Sequence, residues 1–355
     1  MYRLIRAILF LLPEEAAHRL GMWTLRWLGR SIAIANWTRR RALDAQSDLG
    51  SQIAGLAFPN PVGLAAGLDK DAEAISGLFA LGFGAVEVGT VTPRPQAGNP
   101  SPRLFRLSSH QALINRMGFN NCGAEEVAQR LASLRWKPGP VGVNIGKNKD
   151  TPLERAVDDY LQCVDRLATV SDYLVINVSS PNTPGLRELQ DPERLPQLLD
   201  AVQTRLARIG PKPLFVKIAP DLDDPALDQI VDIALAHQVS GIIATNTTLE
   251  RPFSHPLAKE GGGLSGAPLR GIATRVIRRL YGRARGRLAI IGVGGVFSAE
   301  DAYEKIRAGA NAVQIYSGLI YQGPAVVGRI LRGLRQLLAR DGFRSLTEAV
   351  GRESR

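Results

Sequence analysis

A short stretch of the chain concentrates uncharged groups that donate and accept hydrogen bonds. It ends an apolar run that begins at Tyr173, and Pro181 and Pro184 stiffen it, because each proline ring fixes φ and removes a donor. Its polar residues are Asn177, Ser179, Ser180, Asn182 and Thr183. Rigidly held amides and hydroxyls at the end of a strand are the layout of an α/β enzyme site. Taken alone, the stretch also fits an ordinary Ser/Asn/Pro turn.

A glycine-rich turn indicates a second kind of chemistry. Gly-Val-Gly-Gly at 292–295 ends another apolar run, and Ser298 with Asp301 has the spacing of a capping box that opens a helix. Glycine lets backbone N–H groups approach a phosphate, and a helix N-terminus favours its charge. Segments 261–266 and 316–318 could close around the same group. No GxGxxG opens a helix, so a Rossmann nicotinamide site is not supported.

Lys217 is a cation within an apolar run, Phe-Val-Lys-Ile-Ala-Pro at 215–220. A buried cation needs an anionic partner. A reduced flavin provides one, because its N1–C2=O edge becomes anionic. A nearby carboxylate is the alternative partner.

Eight strand-like runs must position these groups. Each is nearly continuous in Val, Ile, Leu and Ala, as expected for parallel strands covered on both faces. They lie at about 62–67, 84–90, 141–146, 173–179, 214–219, 241–246, 288–293 and 312–317. Helical patterns that separate most of them lie at 152–169, 192–208, 224–237, 268–281 and 298–308. Eight βα units predict an α/β fold, a closed (β/α)8 TIM barrel whose active site lies at the carboxyl ends of the strands.

The ends of these runs carry polar residues or glycines that a barrel mouth would bring together. They are Lys70, Thr90, Asn144, Asn177, Lys217, Asn246, Gly294, Gly295, Tyr316 and Ser317. Any one of them could be structural, but their convergence at one mouth predicts a site.

Composition narrows the class of protein. A formal net charge of +11 indicates an anionic partner: nucleic acid, a membrane surface or an acidic substrate. The two cysteines have neither metal spacing nor a disulfide framework, which suits a reducing compartment. None of the four histidines belongs to an HExxH array, which argues against a zinc or iron site, so no metal is predicted.

The first 45 residues differ from the remainder. The apolar run 4–12 is too short to span a bilayer, and Pro13 followed by two acids is typical of a helix start rather than of a signal cleavage site. Trp23 and Trp27 lie on one helical stripe, and arginines lie on another. The pattern predicts an amphipathic helix in a membrane interface, or a helical pair docked on the barrel, and both can hold together.

Seven motifs occur in the order of one known family. They are Ala-Ala-Gly-Leu-Asp-Lys at 65–70, Val-Gly-Thr-Val-Thr-Pro at 88–93, Asn-Arg-Met-Gly-Phe-Asn at 115–120, Asn-Ile-Gly-Lys at 144–147, Asn-Val-Ser-Ser-Pro-Asn-Thr at 177–183, Ala-Thr-Asn-Thr-Thr at 244–248 and Gly-Val-Gly-Gly at 292–295. From about Leu49 to the last barrel helix, the chain resembles the quinone-dependent (class 2) dihydroorotate dehydrogenases. An amphipathic N-terminal segment also belongs to this class.

The resemblance implies oxidation of (S)-dihydroorotate to orotate in pyrimidine biosynthesis, with FMN as hydride acceptor and a membrane quinone as final electron acceptor. Ser180 would be the general base for the C5 proton, with relay through water or a neighbour such as Thr183. FMN would lie against Ala66, Gly67, Leu68, Asp69, Lys70, Thr90, Asn144, Asn177, Lys217, Thr245, Gly266, Gly295, Tyr316 and Ser317. Orotate would lie against Lys70, Asn115, Arg116, Met117, Gly118, Phe119, Asn177, Asn182, Asn246 and Thr247. The quinone head group would lie near His18, Arg103 and Tyr316, although His18 could equally be a surface residue.

Three other functions compete with this one. A soluble class-one dihydroorotate dehydrogenase would carry Cys in place of Ser180 and lack residues 1–45. A tRNA-dihydrouridine synthase would need a catalytic cysteine and an RNA-binding domain, and neither Cys122 nor Cys163 ends a strand. A non-catalytic flavin protein docked on a membrane would leave the hydroxyl and the asparagines unexplained.

The predicted organisation has three parts. Residues 1–45 form the amphipathic helical segment for membrane association and quinone access, joined by a linker at 39–47. Residues 46–341 form the FMN-binding barrel, and 342–355 a polar tail. We expect a peripheral protein on the cytoplasmic face of a bacterial inner membrane that binds anionic lipid and no nucleic acid.

Overall fold

The computed structural model describes residues 2–43 and 49–353. In chain order its strands are β1 (Ser51–Ile53), β2 (Leu56–Phe58), β3 (Val62–Leu64), β4 (Ala85–Val91), β5 (Leu104–Leu107), β6 (Ala112–Asn115), β7 (Val141–Ile145), β8 (Tyr173–Asn177), β9 (Leu214–Ile218), β10 (Gly241–Ala244), β11 (Gly263–Gly266), β12 (Ala289–Val293) and β13 (Ala312–Ile315). Its α-helices are α1 (Tyr2–Leu9), α2 (Glu14–Gly29), α3 (Ile32–Ala42), α4 (Ile75–Ala80), α5 (Ala124–Ala132), α6 (Ala156–Leu167), α7 (Arg194–Ile209), α8 (Asp224–Ala236), α9 (Arg270–Ala284), α10 (Ala299–Ala308), α11 (Ser317–Gln322), α12 (Val326–Arg340) and α13 (Leu346–Ala349).

Eight of the strands close into a parallel barrel in the order β3, β4, β7, β8, β9, β10, β12 and β13. All residues of β4, β7, β8 and β9 are buried, which explains why these strands are apolar without alternation. Each barrel strand except the last leads through a helix to the next one. The predicted (β/α)8 TIM barrel is therefore confirmed.

The barrel interior is apolar at one end and polar at the other. Tyr173 and Phe215 pack edge to face, with ring centroids 5.4 Å apart. The β1–β2 hairpin packs Ile53 and Phe58 against the first residues of β4 and β13. Because this hairpin covers the amino ends of the strands, the polar residues at the carboxyl ends form the open mouth.

A small antiparallel sheet in the order β11-β6-β5 stands beside the mouth. Its strands come from two insertions, one between β4 and α5 and the other between β10 and α9. No strands were predicted for these insertions, because their apolar runs are short and are interrupted by polar residues.

Three N-terminal helices pack on the barrel. Helix α2 begins after Pro13 with two acids in its first turn, as predicted. Arg39 of α3 is buried and donates to the carbonyls of Phe79 at 2.8 Å and Phe83 at 2.7 Å. The first part of the predicted linker 39–47 is thus helical, which corrects the prediction, and residues 44–48 lie outside the described residues.

The segment after α12 also packs on the barrel. Leu346 and Ala349 of α13 are buried, and the N–H of Gly351 donates to the Ile306 carbonyl at 3.1 Å. This stretch, predicted as a polar tail, contributes two side chains to the core.

Candidate active site

A cavity opens at the carboxyl ends of the barrel strands. Lys70 and Lys217 are the charged side chains in its lining, and no described lining residue is a carboxylate. The cavity therefore favours an anionic or neutral polar occupant.

Hydrogen bonds link amides and hydroxyls across three adjacent strands at the base of the mouth. Thr90 Oγ1 donates to Asn144 Oδ1 at 2.6 Å, and Asn177 Nδ2 lies 2.9 Å from Thr90 Oγ1 and 3.0 Å from Asn144 Oδ1. Ser179 Oγ donates to Asn177 Oδ1 at 2.9 Å and accepts from Asn246 Nδ2 at 2.9 Å. Each amide is therefore oriented by hydrogen bonds to its protein neighbours.

Ser180 lies in the loop after β8, and its side chain faces the cavity. The backbone N–H of Asn182 donates to Ser180 Oγ at 3.2 Å, so this oxygen has a fixed position. Asn182 Nδ2 donates to Asn115 Oδ1 at 3.3 Å, which joins the loop to β6. Thr183 Oγ1 is buried and has no hydrogen-bond partner among the described residues.

Two residues that were not predicted from the sequence brace this loop. Arg187 donates to the Ser179 carbonyl and the Thr247 carbonyl, both at 3.0 Å. Its guanidinium also pairs with Asp221 at 2.7 Å, and Asp221 accepts a hydrogen bond from Thr248. A single arginine thus joins the loops after β8, β9 and β10. A sequence signal existed only for Arg187, which closely follows the motif 177–183.

The glycine-rich turn forms a cradle, as predicted. Gly294 and Gly295 have φ values of +117° and +70°, and a Cβ on Gly295 would lie 2.6 Å from Arg270 Cα. Ser317 Oγ lies 2.9 Å from Ser265 Oγ on β11, so three predicted segments meet here. The predicted capping box between Ser298 and Asp301 is also present. Backbone amides, hydroxyls and close glycine packing suit a phosphate.

Lys217 has a carboxylate partner, the alternative left open by its sequence. Its Nζ lies 3.4 Å from Glu87 Oε1, and 6% of the Lys217 side chain is exposed. Lys217 also lines the cavity, whereas Glu87 does not. The ammonium therefore has a carboxylate on one side and the cavity on the other. Lys70 occupies another wall, and burial lowers the pKa of its ammonium to about 8.

The predicted quinone residues lie where the N-terminal helices meet the mouth. Glu15 of α2 binds Arg103 with two hydrogen bonds, at 2.9 and 3.0 Å. Burial, together with the charge of Lys70, lowers the pKa of His18 to about 4, so His18 is a partly buried neutral side chain close to Lys70. Burial raises the pKa of Tyr316 to about 12, and Tyr316 lines the cavity.

Most of the predicted cofactor and substrate residues line the cavity, and four do not. The four are Leu68, Asp69, Asn144 and Arg116. Leu68 is buried. Asn144 lies beneath the cavity lining and accepts hydrogen bonds from Thr90 and Asn177, which do line the cavity. Asp69 caps its own loop, since its carboxylate accepts from two backbone N–H groups, those of residues 73 and 74, at 2.8 Å, and burial raises its pKa to about 6. Arg116 turns outward and pairs with Glu260 at 2.6 Å.

The predicted residues that do line the cavity include cofactor residues, substrate residues and the general base Ser180. They are Ala66, Gly67, Lys70, Thr90, Asn115, Met117, Gly118, Phe119, Asn177, Ser180, Asn182, Lys217, Thr245, Asn246, Thr247, Gly266, Gly295, Tyr316 and Ser317. Leu269, Phe297 and Gln314 also line it and were not predicted. Apolar and isolated amide residues carry no local signal of a site.

The fold and this cavity define a (β/α)8-barrel enzyme with a polar, lysine-bearing cavity at its mouth. Residues 48–338 match the family model described as dihydroorotate dehydrogenase. Over 100% of the chain and 98% of the relative, the sequence is 63% identical to a dihydroorotate dehydrogenase (quinone) of Myxococcus xanthus. A relative of the same name from Gloeobacter violaceus is 52% identical over 99% of the chain and 98% of its own length.

A solved structure supports the same assignment. The crystal structure of a dihydroorotate dehydrogenase from Eimeria tenella in complex with ferulenol superposes with a TM-score of 0.88 at 40% identity, and covers 98% of this chain and 99% of that one. The chain belongs to the dihydroorotate dehydrogenase family.

Proposed function

We propose that the protein oxidises (S)-dihydroorotate to orotate with FMN as hydride acceptor and a membrane quinone as final electron acceptor. Relatives that share its full length carry the name dihydroorotate dehydrogenase (quinone). The observation that carries the proposal is the cavity that brings together Ser180, the asparagine amides, two lysines and the glycine cradle. The activity belongs to pyrimidine nucleotide biosynthesis.

The hydrogen-bond donors and cations that line the cavity fit FMN. The cradle of Gly266, Gly294, Gly295 and Ser317 would hold the phosphate, since the three glycines line the cavity at positive φ and carry no side chain to keep a phosphate away from backbone N–H groups. Lys217 would face the pyrimidine edge of the ring system, and Thr90 with Asn177 would orient that edge through the amide network. When bound, FMN supplies the acceptor for the hydride that leaves the substrate.

Neutral amides would bind the substrate ring. Each asparagine side chain offers a donor and an acceptor to a ring that presents both, and Lys70 supplies a cation for the carboxylate. The residues assigned to this role are Lys70, Asn115, Asn177, Asn182, Asn246 and Thr247. Met117, Gly118 and Phe119 would close one wall, whereas Arg116 would act only by holding that loop through Glu260.

Ser180 Oγ would accept the C5 proton of dihydroorotate. A free serine hydroxyl is a weak base, so the proton must move on to a further acceptor. As Ser180 Oγ takes the C5 proton, its own hydroxyl proton would pass to solvent through a bridging water and the nearby Thr183 hydroxyl, which is buried and has no partner among the described residues. The loop prolines and the Arg187 brace keep Ser180 in position during this transfer.

The quinone would approach between the N-terminal helices and the mouth, past His18, Arg103 and Tyr316. The outer surface of these helices is apolar, with Trp23, Trp27 and Trp37 each more than half exposed. Among the described residues, no helix is long and apolar enough to cross a bilayer. The exposed apolar side chains support a peripheral position at a membrane surface, where arginine attraction to anionic lipid would add to apolar burial.

The test is the visible spectrum of the purified protein. It should show flavin bands that bleach when dihydroorotate is added without oxygen, and a long-chain quinone should restore them. A protein that takes up FMN but does not bleach would refute the assigned substrate. A protein that neither contains nor binds FMN would refute the proposed cofactor.

A further inference from the structure

Glu87 is a fully buried carboxylate that the proposed reaction does not use. It lies on β4 inside the barrel, and its side chain is 0% exposed. Side chains from three other strands donate to it. Asn144 Nδ2 at 2.9 Å and Lys217 Nζ at 3.4 Å bind Oε1, and Gln314 Nε2 at 2.6 Å binds Oε2. Because all three partners donate, the geometry fits the ionised carboxylate, which only accepts.

Glu87 lies behind Lys217 as seen from the cavity. Lys217 and Gln314 line the cavity and Glu87 does not, so the carboxylate has no direct contact with an occupant. In the described part of the chain, Glu87 is the only carboxylate within salt-bridge distance of Lys217. Any effect of Glu87 on a bound cofactor must therefore pass through its hydrogen-bond partners among the described residues, of which Lys217 is the only cation, or through the field of its charge.

We propose that Glu87 is a positioning residue that directs Lys217 toward the cofactor and sets the reduction potential of bound FMN. The inference rests on the proposed function, since it requires FMN in this cavity. With Glu87 ionised, negative charge that develops on the flavin edge lies beside the Lys217–Glu87 ion pair, whose charges largely cancel, rather than beside an uncompensated cation. Charges interact strongly in a barrel interior with low dielectric constant, so the carboxylate opposes accumulation of the anionic reduced form. Reduced FMN thereby remains a ready electron donor to the next acceptor.

The experiment compares the affinities of oxidised and reduced FMN in wild type and in Glu87→Gln. The substitution keeps the shape of the side chain and removes its charge. In Glu87→Gln we expect the affinity for reduced FMN to rise at least about tenfold relative to the affinity for oxidised FMN. This corresponds to a rise of about 30 mV in the two-electron reduction potential of bound FMN. Anaerobic titration against redox dyes measures the potential, and quenching of free FMN fluorescence measures the affinity of the apoprotein.

Two further variants test the direction of the effect. Lys217→Ala should lower the potential, because it removes the cation. Gln314→Met should also lower the potential, by a smaller amount. It removes a hydrogen-bond donor from Glu87 and so leaves more of the negative charge of the carboxylate uncompensated. The matched control is Asp159→Asn, which removes another buried carboxylate, one that accepts from the Asn148 N–H at 2.8 Å outside the cavity lining. It should leave the potential unchanged.

The possible outcomes separate the inference from the proposed function. Suppose that wild type binds FMN and bleaches with dihydroorotate, but Glu87→Gln changes the ratio of the affinities for reduced and oxidised FMN by less than threefold. That result would overturn the inference alone. Lower thermal stability of Glu87→Gln without a redox shift would assign Glu87 a purely structural role and also overturn it. If Glu87→Gln does not fold, an unshifted potential in Gln314→Met would overturn the inference instead. Wild type that binds no FMN would overturn both.

Discussion

Ser180 is a small side chain whose surroundings define its position. It is 5% exposed, its Oγ accepts from the Asn182 N–H, and Arg187 holds the carbonyl of the preceding residue. A hydroxyl fixed in this way fits the proposed role of Ser180 as the group that takes a proton from a substrate bound by the neighbouring amides.

Ser180→Ala should keep FMN and orotate binding, because the amide network does not depend on the hydroxyl. Reduction of the flavin by dihydroorotate should slow by about 10²-fold or more, the range expected when a general base is lost. Anaerobic stopped-flow absorbance measures this rate, with orotate titration as the binding control. A rate within about threefold of wild type would remove Ser180 from the mechanism.

His18 should make the folded protein sensitive to acid. Its pKa is about 4 in the fold and 6.5 for an ordinary histidine, so between these values the unfolded chain binds more protons. Stability should therefore fall as pH falls through this window, by up to about 1.4 kcal/mol per pH unit from this group. His18→Asn should flatten the fall in denaturation midpoint between pH 6.5 and 4. Parallel curves for the two proteins would contradict the partly buried, neutral state of His18.

Helices α2 and α4 cross at a contact that only glycine permits. A Cβ on Gly77 would lie 1.9 Å from the Leu25 carbonyl oxygen, and one on Gly29 would lie 2.7 Å from the Gly77 nitrogen. The two backbones therefore touch, and this contact sets how closely the N-terminal helices approach the barrel.

Gly77→Ala should force the two helices apart and destabilise the protein by about 1–3 kcal/mol, the range for overpacked sites. Gly282→Ala on α9 is the matched control, because a Cβ there meets nothing within 4 Å, and it should be neutral or slightly stabilising. Chemical denaturation measures both, and limited proteolysis reports release of α2. Equal stability of the two variants would show that the crossing tolerates a methyl group.

At the scale of the whole molecule, exposed apolar surface is concentrated on the N-terminal helices. Of the exposed large apolar side chains in the described ranges, all but Leu249 belong to α1, α2, α3 and the residues that join them. Arg30 lies 3.8 Å over the Trp27 ring and Arg41 lies 4.3 Å over the Trp37 ring. With a net charge of +11, this surface is suited to an anionic bilayer.

The protein should sediment with anionic vesicles, and salt should release only part of it, because salt screens the arginines but not apolar burial. Replacement of Trp23, Trp27 and Trp37 by Gln should lower binding about tenfold or more while stability changes little, since all three are exposed. Leu249→Gln, 52% exposed on the barrel, is the control and should bind like wild type. Unchanged sedimentation of the triple variant would assign these helices a structural role alone.

The sequence determined the strands of the barrel, most of the helices and the chemical character of the mouth. Burial on both faces makes barrel strands continuously apolar, so polar residues at their ends stand out. For that reason the loop around Ser180 and the cradle at Gly294 and Gly295 could be predicted from local patterns. The family motifs then assigned roles to these residues, and those roles stay predictions until the variants are measured.

The tertiary structure decided which side chains point inward and which residues pair. Glu87 lies within an apolar run, 130 positions from Lys217 and 227 from Gln314, and no local pattern links the three. Arg116 sits within a family motif yet turns outward, because Glu260, 144 positions away, offers it a carboxylate. Local periodicity reports only whether a position is buried. The identity of a buried partner is set by barrel closure, which brings distant strands side by side.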